Sequence, residues 1–178
     1  MGWVHLLAAP CSAWYQSKTI VRKIGRVVNL FALTHCVDEA TRRVAERGYP
    51  VRAIMMPVIP IDGWQDVYTR FTDRLLQTIA IQRLTLGGIC IYRSARDLME
   101  RKMGMRNAVS QQIGSASPVA GDGRARYSRN LRHEVYSLVI ASARRLRPDL
   151  EIALCLEEEA LWESTGLRGS MGRCNCRL

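Results

Sequence analysis

The pattern of apolar and polar positions predicts strands and helices that alternate along the chain. A nearly continuous apolar run, Arg83–Tyr92, is typical of a strand buried on both faces of a parallel sheet. Val51–Ile59 and Ile152–Leu156 are strand candidates of the same kind, and Pro57 should fall near a strand end or a bulge because it lacks an amide donor. Strands that alternate with helices indicate βαβ units and a parallel sheet.

Apolar residues at helical spacing predict two helices in the first half of the chain. Thr34–Arg47 forms the first, and Gly48 is placed to adopt the left-handed conformation that ends it. The second begins at Asp62, which with Gln65 three residues later matches a capping box, and it continues to about Ala80.

Two further helices are predicted in the second half. Asn130 is expected to cap Leu131–Leu146, whose apolar stripe faces inward and which Pro148 ends. Glu157–Glu159 lie at the start of a final short helix, where acidic side chains are favourable, and Gly166 is its expected stop.

Three strands of this type do not close an eight-stranded barrel, so the fold class that we predict is α/β with a partial parallel (β/α) barrel. Residues 1–33 show no clean period and receive no assignment. Residues 34–178 form the barrel part, which a long basic loop or hairpin insertion interrupts at 93–130. Arg93–Met105 is expected to hold a short helix within that insertion.

The charge points to a polyanionic partner. The net charge is +10 with a pI of about 9.8, which favours nucleic acid or an anionic surface. From residue 93 to residue 132 there are nine Lys and Arg against three acids, a net +6, so one connection carries over half of the total. A solvated face is the alternative interpretation of such a run.

Four residues of this connection are the candidate DNA-binding residues. Arg124, Arg126 and Arg129 are expected to contact phosphates, and Tyr127 to stack on an exposed base or to wedge into a duplex. The segment Gly121–Ser128 combines turn residues with alternating basic positions and is compatible with a small hairpin. The alternative is a solvated loop whose Tyr127 covers the barrel end.

The cysteines predict neither disulfides nor a metal site. Six are scattered, which favours a reducing cytoplasm. Cys174 and Cys176 are the only close pair, no CxxC exists, and the three histidines are isolated, so no metal ligands are assigned. Cys90 is interpreted as a small buried hydrophobe and Tyr92 as a strand-end cap, although both follow a strand end where sites gather. No apolar run reaches the roughly 20 residues that span a bilayer, and the start lacks a basic signal-peptide region.

Six segments occur in an order that is more specific than any one of them. They read VAERGYPV (Val44–Val51), PVIPIDGWQDVY (Pro57–Tyr68), LTLGGICIY (Leu84–Tyr92), DGRARYSRNLRHEVY (Asp122–Tyr136), IALCLEEEALWESTGL (Ile152–Leu167) and GRCNC (Gly172–Cys176). Together they resemble the spore photoproduct lyase family of radical S-adenosylmethionine proteins, over roughly residues 37–178.

The resemblance implies about three β/α units of a radical-SAM-type half barrel. It also implies a 4Fe–4S cluster on a CxxxCxxC motif, cleavage of S-adenosylmethionine to a radical, and repair of a thymine photoproduct in DNA. The family's basic hairpin, here Arg124, Arg126 and Tyr127, is expected to engage the lesion-bearing DNA. This chain has no CxxxCxxC, so we expect it to be a C-terminal half that binds neither cofactor alone and is inactive without a missing N-terminal half.

Three functions therefore compete at this point. The first is a DNA-repair lyase fragment that needs the other half, and the second is a non-catalytic nucleic-acid-binding module built on the same barrel piece. The third is a non-functional gene remnant. Salt-dependent DNA binding separates the third from the first two.

Overall fold

A parallel sheet flanked by helices forms the centre of the molecule. The computed structural model describes residues 4–7, 41–113 and 123–173. In chain order the elements are β1 (Val4–Leu7), α1 (41–46), β2 (Val51–Val58), α2 (Trp64–Thr78), β3 (Ile81–Gly88), β4 (Cys90–Tyr92), α3 (Arg93–Met103), β5 (Arg124–Arg126), α4 (Arg129–Leu146), β6 (Glu151–Leu154) and α5 (Glu159–Ser164). Short 3-10 turns lie at Ser110–Gln112 and Arg168–Ser170.

The main sheet has the order β1-β2-β3-β6, and each neighbouring pair is parallel. The prediction of a parallel α/β architecture is confirmed, and β1 adds a strand in a segment to which the sequence pattern gave no element. The register shifts between Met55 and Val58, on either side of Pro57, as a proline near a strand end requires.

The predicted strand Arg83–Tyr92 is wrong as one element. β3 ends at Gly88, and after Ile89 the chain starts β4, which belongs to a separate two-stranded sheet. β4 pairs antiparallel with β5, so that Tyr92 lies opposite Arg124 and Cys90 opposite Arg126. The predicted hairpin within Gly121–Ser128 is wrong, because β5 pairs with β4, which lies far upstream in the chain. We call this β4–β5 pair the ribbon.

Two apolar clusters explain why the chain divides in this way. The larger one joins the sheet to α2 and α4, which also pack on each other. The smaller one lies next to the ribbon and contains Ile89, Val109, Ile113 and Tyr127. Ile89 leaves the main sheet to be buried in this second cluster, which a continuous apolar run cannot indicate.

The helix starts differ from the predicted caps. Gly63, with φ of 76°, precedes α2 without a side-chain cap, so Asp62 is not the N-cap. Ser128 caps α4 in place of Asn130, and its Oγ accepts a hydrogen bond from the amide of Leu131 at 3.3 Å. α5 begins at Glu159, and Glu157 lies outside that helix with its side chain only 3% exposed.

Other predicted boundaries are confirmed. Gly48 and Gly166 have φ of 83° and 72°, as expected after helix ends, and α4 ends before Pro148. Of the predicted helix Thr34–Arg47, residues 41–46 are helical, and the earlier part lies outside the described residues. In the described part of the chain, no helix combines the length and the apolar character needed to cross a membrane.

Candidate nucleic-acid interface at the carboxyl edge

The carboxyl ends of β2, β3 and β6 meet at one edge of the parallel sheet, which we call the carboxyl edge. The ribbon follows β3 directly, α4 begins at Arg129, and the chain that leaves β6 supplies Glu157 and Glu158. Parallel β/α proteins commonly place their sites at this edge. The four residues predicted to bind DNA lie in these segments, and the structure separates them by burial.

Arg124 is half-buried on the ribbon, and its guanidinium lies over the ring of Tyr92. Its guanidinium carbon is 5.0 Å from the centre of the Tyr92 ring, and Nη2 donates a hydrogen bond to the phenolic oxygen at 3.2 Å. Tyr92 is 53% exposed. The interactions with Tyr92, and after them those with Cys90, raise the pKa of Arg124 above its ordinary value. Arg124 is therefore a permanent cation held over an aromatic ring at the protein surface.

Arg126 points inward and is only 5% exposed. Its Nε and Nη2 donate to the carbonyl of Leu156 at 3.3 and 3.2 Å, and Nη1 donates to the carbonyl of Arg124 at 3.3 Å. These bonds tie the ribbon to the chain after β6. In this arrangement the buried guanidinium binds two backbone carbonyl groups.

Tyr127 is buried in the smaller apolar cluster, with 2% of its surface exposed. Burial raises the pKa of its phenol, and the nearby Tyr68 contributes in the same direction. Tyr68 itself accepts a hydrogen bond from the amide of Ile59 at 2.8 Å, and burial raises the pKa of Tyr68 to about 12. Within the described residues the Tyr127 hydroxyl has no hydrogen-bond partner, so the packing of its ring is its visible role.

Arg129 lies in the first turn of α4, and its side chain is 59% exposed. It donates from Nε and Nη2 to the two carboxylate oxygens of Glu158 at 2.9 and 3.3 Å. This pairing raises the pKa of Arg129 and, as the main cause, lowers the pKa of Glu158. An exposed fork of this kind can exchange a carboxylate for a phosphate at little cost.

A buried polar network, which the sequence analysis missed, lies beneath this surface. Arg132 donates to the Tyr127 carbonyl at 2.9 Å, to Glu157, and to Glu158 at 3.0 Å. Tyr136 donates to Glu157 and accepts a hydrogen bond from the amide of Gly88 at 2.6 Å. The network thus joins the end of β3, α4 and the chain after β6.

Burial sets the electrostatics of this network. The side chains of Arg132 and Glu157 are 5% and 3% exposed. Desolvation raises the pKa of Glu157, although its bonds to Tyr136 and Arg132 act in the opposite direction. Burial also raises the pKa of Tyr136, so its phenol stays protonated and can donate to the carboxylate. The available signal was the i,i+4 spacing of Arg132 and Tyr136 on the face of α4 that Val135 and Val139 bury.

The surface beside the ribbon carries further cations. Arg93 follows Tyr92 directly, and the last turn of α3 contains two basic residues. The exposed cations of this segment are Arg93, Arg101, Lys102 and Arg106. Arg96 pairs with Glu100 at 3.3 Å and is partly buried. Five of the nine basic residues between 93 and 132 are therefore exposed, where a polyanion can reach them.

The described residues do not fit an iron–sulfur cluster. Among them, no three His, Cys, Asp or Glu side chains converge in a way that could hold a metal ion. Cys90 lies in β4 and Cys155 directly after β6, and neither forms a disulfide; Cys174 and Cys176 lie outside the described residues. The described part of the chain thus offers no set of thiolates on which a cluster could assemble.

The comparison with solved structures identifies the fold. Spore photoproduct lyase complexed with dinucleoside spore photoproduct matches with a TM-score of 0.52 at 16% identity, and a cysteine-to-alanine mutant of that enzyme matches with 0.53 at 16%. Each match covers 66% of this chain and 37% of the enzyme, so the chain matches little more than a third of that protein's length. No protein-family model and no curated protein matches the sequence. The resemblance to spore photoproduct lyase that the sequence predicts is thus confirmed as a shared fold over part of the chain.

Proposed function

We propose that this chain is the DNA-binding part of a (β/α)-barrel protein of the spore photoproduct lyase type. The observation that carries the proposal is the cationic carboxyl edge, where Arg129 is exposed, Arg124 lies half-buried against the exposed Tyr92, and α3 begins directly after the ribbon strand β4 with the exposed Arg93. Lys and Arg that neutralise phosphates supply most of the affinity of non-specific DNA binding. The solved lyase that shares the fold was captured with a dinucleoside photoproduct, which supports DNA as the ligand class.

The order of the strands supports the barrel. Each strand of the main sheet is added beside the previous one in chain order, and right-handed crossovers then place all connecting helices on one face. α2 and α4 pack on each other, as neighbouring helices of a barrel wall do. We propose that residues 34–178 form about three β/α units of such a barrel and that 93–130 is its basic insertion.

Of the four predicted DNA-binding residues, the proposal gives direct phosphate contact to Arg124 and Arg129. It gives Arg126 and Tyr127 a supporting role, because the first bonds to the Leu156 carbonyl and the second is packed in an apolar cluster. The ribbon would reach DNA as a prearranged unit, which reduces the entropy lost on binding.

The proposal covers DNA binding and does not include a catalytic activity. Radical chemistry in this family would require thiolates at CxxxCxxC spacing, and the 178 residues contain no such motif. The lyase activity therefore stays a prediction from the resemblance. A reducing cytoplasmic location fits Cys90 and Cys155, which form no disulfide, and is part of the proposal.

Fluorescence anisotropy with a short DNA at several salt concentrations tests the proposal. We expect Kd to rise steeply with salt, and Arg129→Ala to reduce the slope of log Kd against log salt by about one, the value for one lost phosphate contact. Arg145→Ala is the matched control, because Arg145 is 56% exposed, pairs with Asp73, and lies in the last turn of α4 at the opposite end of the helix. Salt-independent binding, or equal effects of the two variants, would overturn the proposal.

A further inference from the structure

We infer that Tyr92, backed by Arg124, is a stacking platform for one unpaired base, and that the chain therefore prefers single-stranded or locally unpaired DNA to an intact duplex. This inference rests on the proposed DNA binding and adds the class of DNA. The sequence predicts that Tyr92 ends a strand, and the structure confirms this. The structure also shows that Tyr92 is 53% exposed, between Arg93 in the chain and Arg124 across the ribbon.

The ring is held in place by the ribbon. Tyr92 is the last residue of β4 and lies directly opposite Arg124 in the antiparallel register. The guanidinium stacks at 5.0 Å, and the hydrogen bond of 3.2 Å to the phenolic oxygen fixes the two side chains together. β5 is in turn anchored by the bonds from Arg126 to Leu156. A platform of this kind loses little side-chain freedom when it receives a ligand.

Tyr92 is exposed enough for a base to stack on its ring. With the guanidinium stacked on the ring, 53% of the residue still faces solvent, so aromatic surface remains for a second stack. Stacking of a base on an aromatic side chain tolerates any sequence, because every base offers a flat face. A base inside a duplex has both faces covered by its neighbours, so only an unpaired base can reach the ring.

The neighbouring charges fit the same ligand. Arg93 is the next residue along the chain and is exposed, and Arg124 supplies a second cation at the ring itself. A single strand whose base stacks on Tyr92 would carry its phosphates past these two groups. Aromatic rings within a cationic groove are the usual arrangement in proteins that bind single strands.

Affinities for a single strand and for the matching duplex, measured at one salt concentration, test the inference. We expect the wild type to bind the single strand more tightly, and Tyr92→Ala to weaken that binding by roughly fivefold or more while duplex binding changes little. Tyr92→Phe should keep most of the affinity because the ring remains. Tyr49→Ala is the matched control, since Tyr49 is also 53% exposed and lies before β2, at the other edge of the sheet.

A spectroscopic readout keeps the test independent of whether Tyr92→Ala folds. A short single strand that carries 2-aminopurine should show a change in fluorescence on binding to the wild type, and Tyr92→Phe should reproduce it. Equal effects of Tyr92→Ala and Tyr49→Ala, no preference for the single strand, or no fluorescence change would overturn the platform and leave the salt-dependent binding intact. If no DNA binds at all, the proposed function fails first.

Discussion

Arg129 and Arg132 lie three residues apart in the first turns of α4, and both donate to Glu158, yet they belong to different parts of the molecule. The side chain of Arg129 is 59% exposed. Arg132 is 5% exposed and donates hydrogen bonds to the Tyr127 carbonyl and to the carboxylates of Glu157 and Glu158. We call Arg129 and its partner Glu158 the surface layer. Arginine is thus a candidate ligand contact at position 129, in the surface layer, and a structural anchor at position 132, in the buried network.

The difference follows from solvation. A surface ion pair contributes little to stability because water already solvates both groups, so it can be exchanged for a ligand. A buried pair is costly to form, and removing one partner leaves an uncompensated charge in a medium that solvates it poorly. We therefore expect stability to depend on the buried network and DNA affinity to depend on the surface layer.

The largest expected effect is on the buried network. Arg132→Met removes the cation from Glu157 and leaves that carboxylate buried, which should reduce the free energy of unfolding by about 3–5 kcal/mol. Urea denaturation followed by circular dichroism measures the loss. Arg129→Ala, on the surface, should leave the unfolding free energy close to that of the wild type.

A double variant checks the cause of that loss. Arg132→Met combined with Glu157→Leu removes both charges, and it should be more stable than Arg132→Met alone because no buried charge is left unpaired. If the double variant loses as much unfolding free energy as the two single variants together, Arg132 and Glu157 are not energetically coupled. The expected contrast between the buried Arg132 and the exposed Arg129 would then be wrong.

The alternation of strands and helices could be predicted because apolar periodicity is a local property of the sequence. Gly48 and Gly166 are examples, since a glycine after an amphipathic run requires nothing from the rest of the fold to end a helix. In the same way, the apolar run Val51–Ile59 predicted β2. The missing amide donor of Pro57 predicted its irregularity.

The candidate site was predicted only in outline, because burial is a tertiary property. Arg124 and Arg126 are two residues apart and lie on the same face of β5, so their spacing does not show that the chain after β6 buries Arg126 while Arg124 lies over the exposed Tyr92. From sequence alone, Glu157 could lie at the start of a helix as Glu159 does. In the structure, Arg132 and Tyr136 of α4 donate hydrogen bonds to its carboxylate. Charge patterns thus indicated the candidate interface without dividing its residues into anchors and contacts.

A smaller effect is expected at the point where β3 meets the network. A Cβ at Gly88 would lie 2.9 Å from the Tyr136 hydroxyl, so Gly88→Ala forces that group to move and should cost about 1–3 kcal/mol of unfolding free energy. Gly169→Ala is the control, because a Cβ there meets no atom within 4 Å and the position is outside the network.

The Tyr136→Phe background isolates the hydroxyl in that clash. Once the hydroxyl is absent, Gly88→Ala should cost measurably less than in the wild type, although Tyr136→Phe is itself destabilising because the Gly88 amide and Glu157 each lose one hydrogen bond. Urea denaturation of the four proteins gives the coupling. An equal cost of Gly88→Ala in both backgrounds would contradict the contact.

The smallest expected effect is a difference in pH dependence between two adjacent carboxylates. Burial raises the pKa of Glu157 above 4.5, so the folded state holds its proton more tightly, and stability falls as the pH rises from 4.5 through that higher pKa. Arg129 lowers the pKa of Glu158, so its contribution is complete above 4.5 and is lost as the pH falls through the lower pKa. Glu157→Gln should flatten the stability profile on the high side of 4.5 and Glu158→Gln on the low side, as measured by urea denaturation across pH. Profiles that both variants change in the same direction would show that the two carboxylates share one environment, contrary to the division between buried network and surface layer.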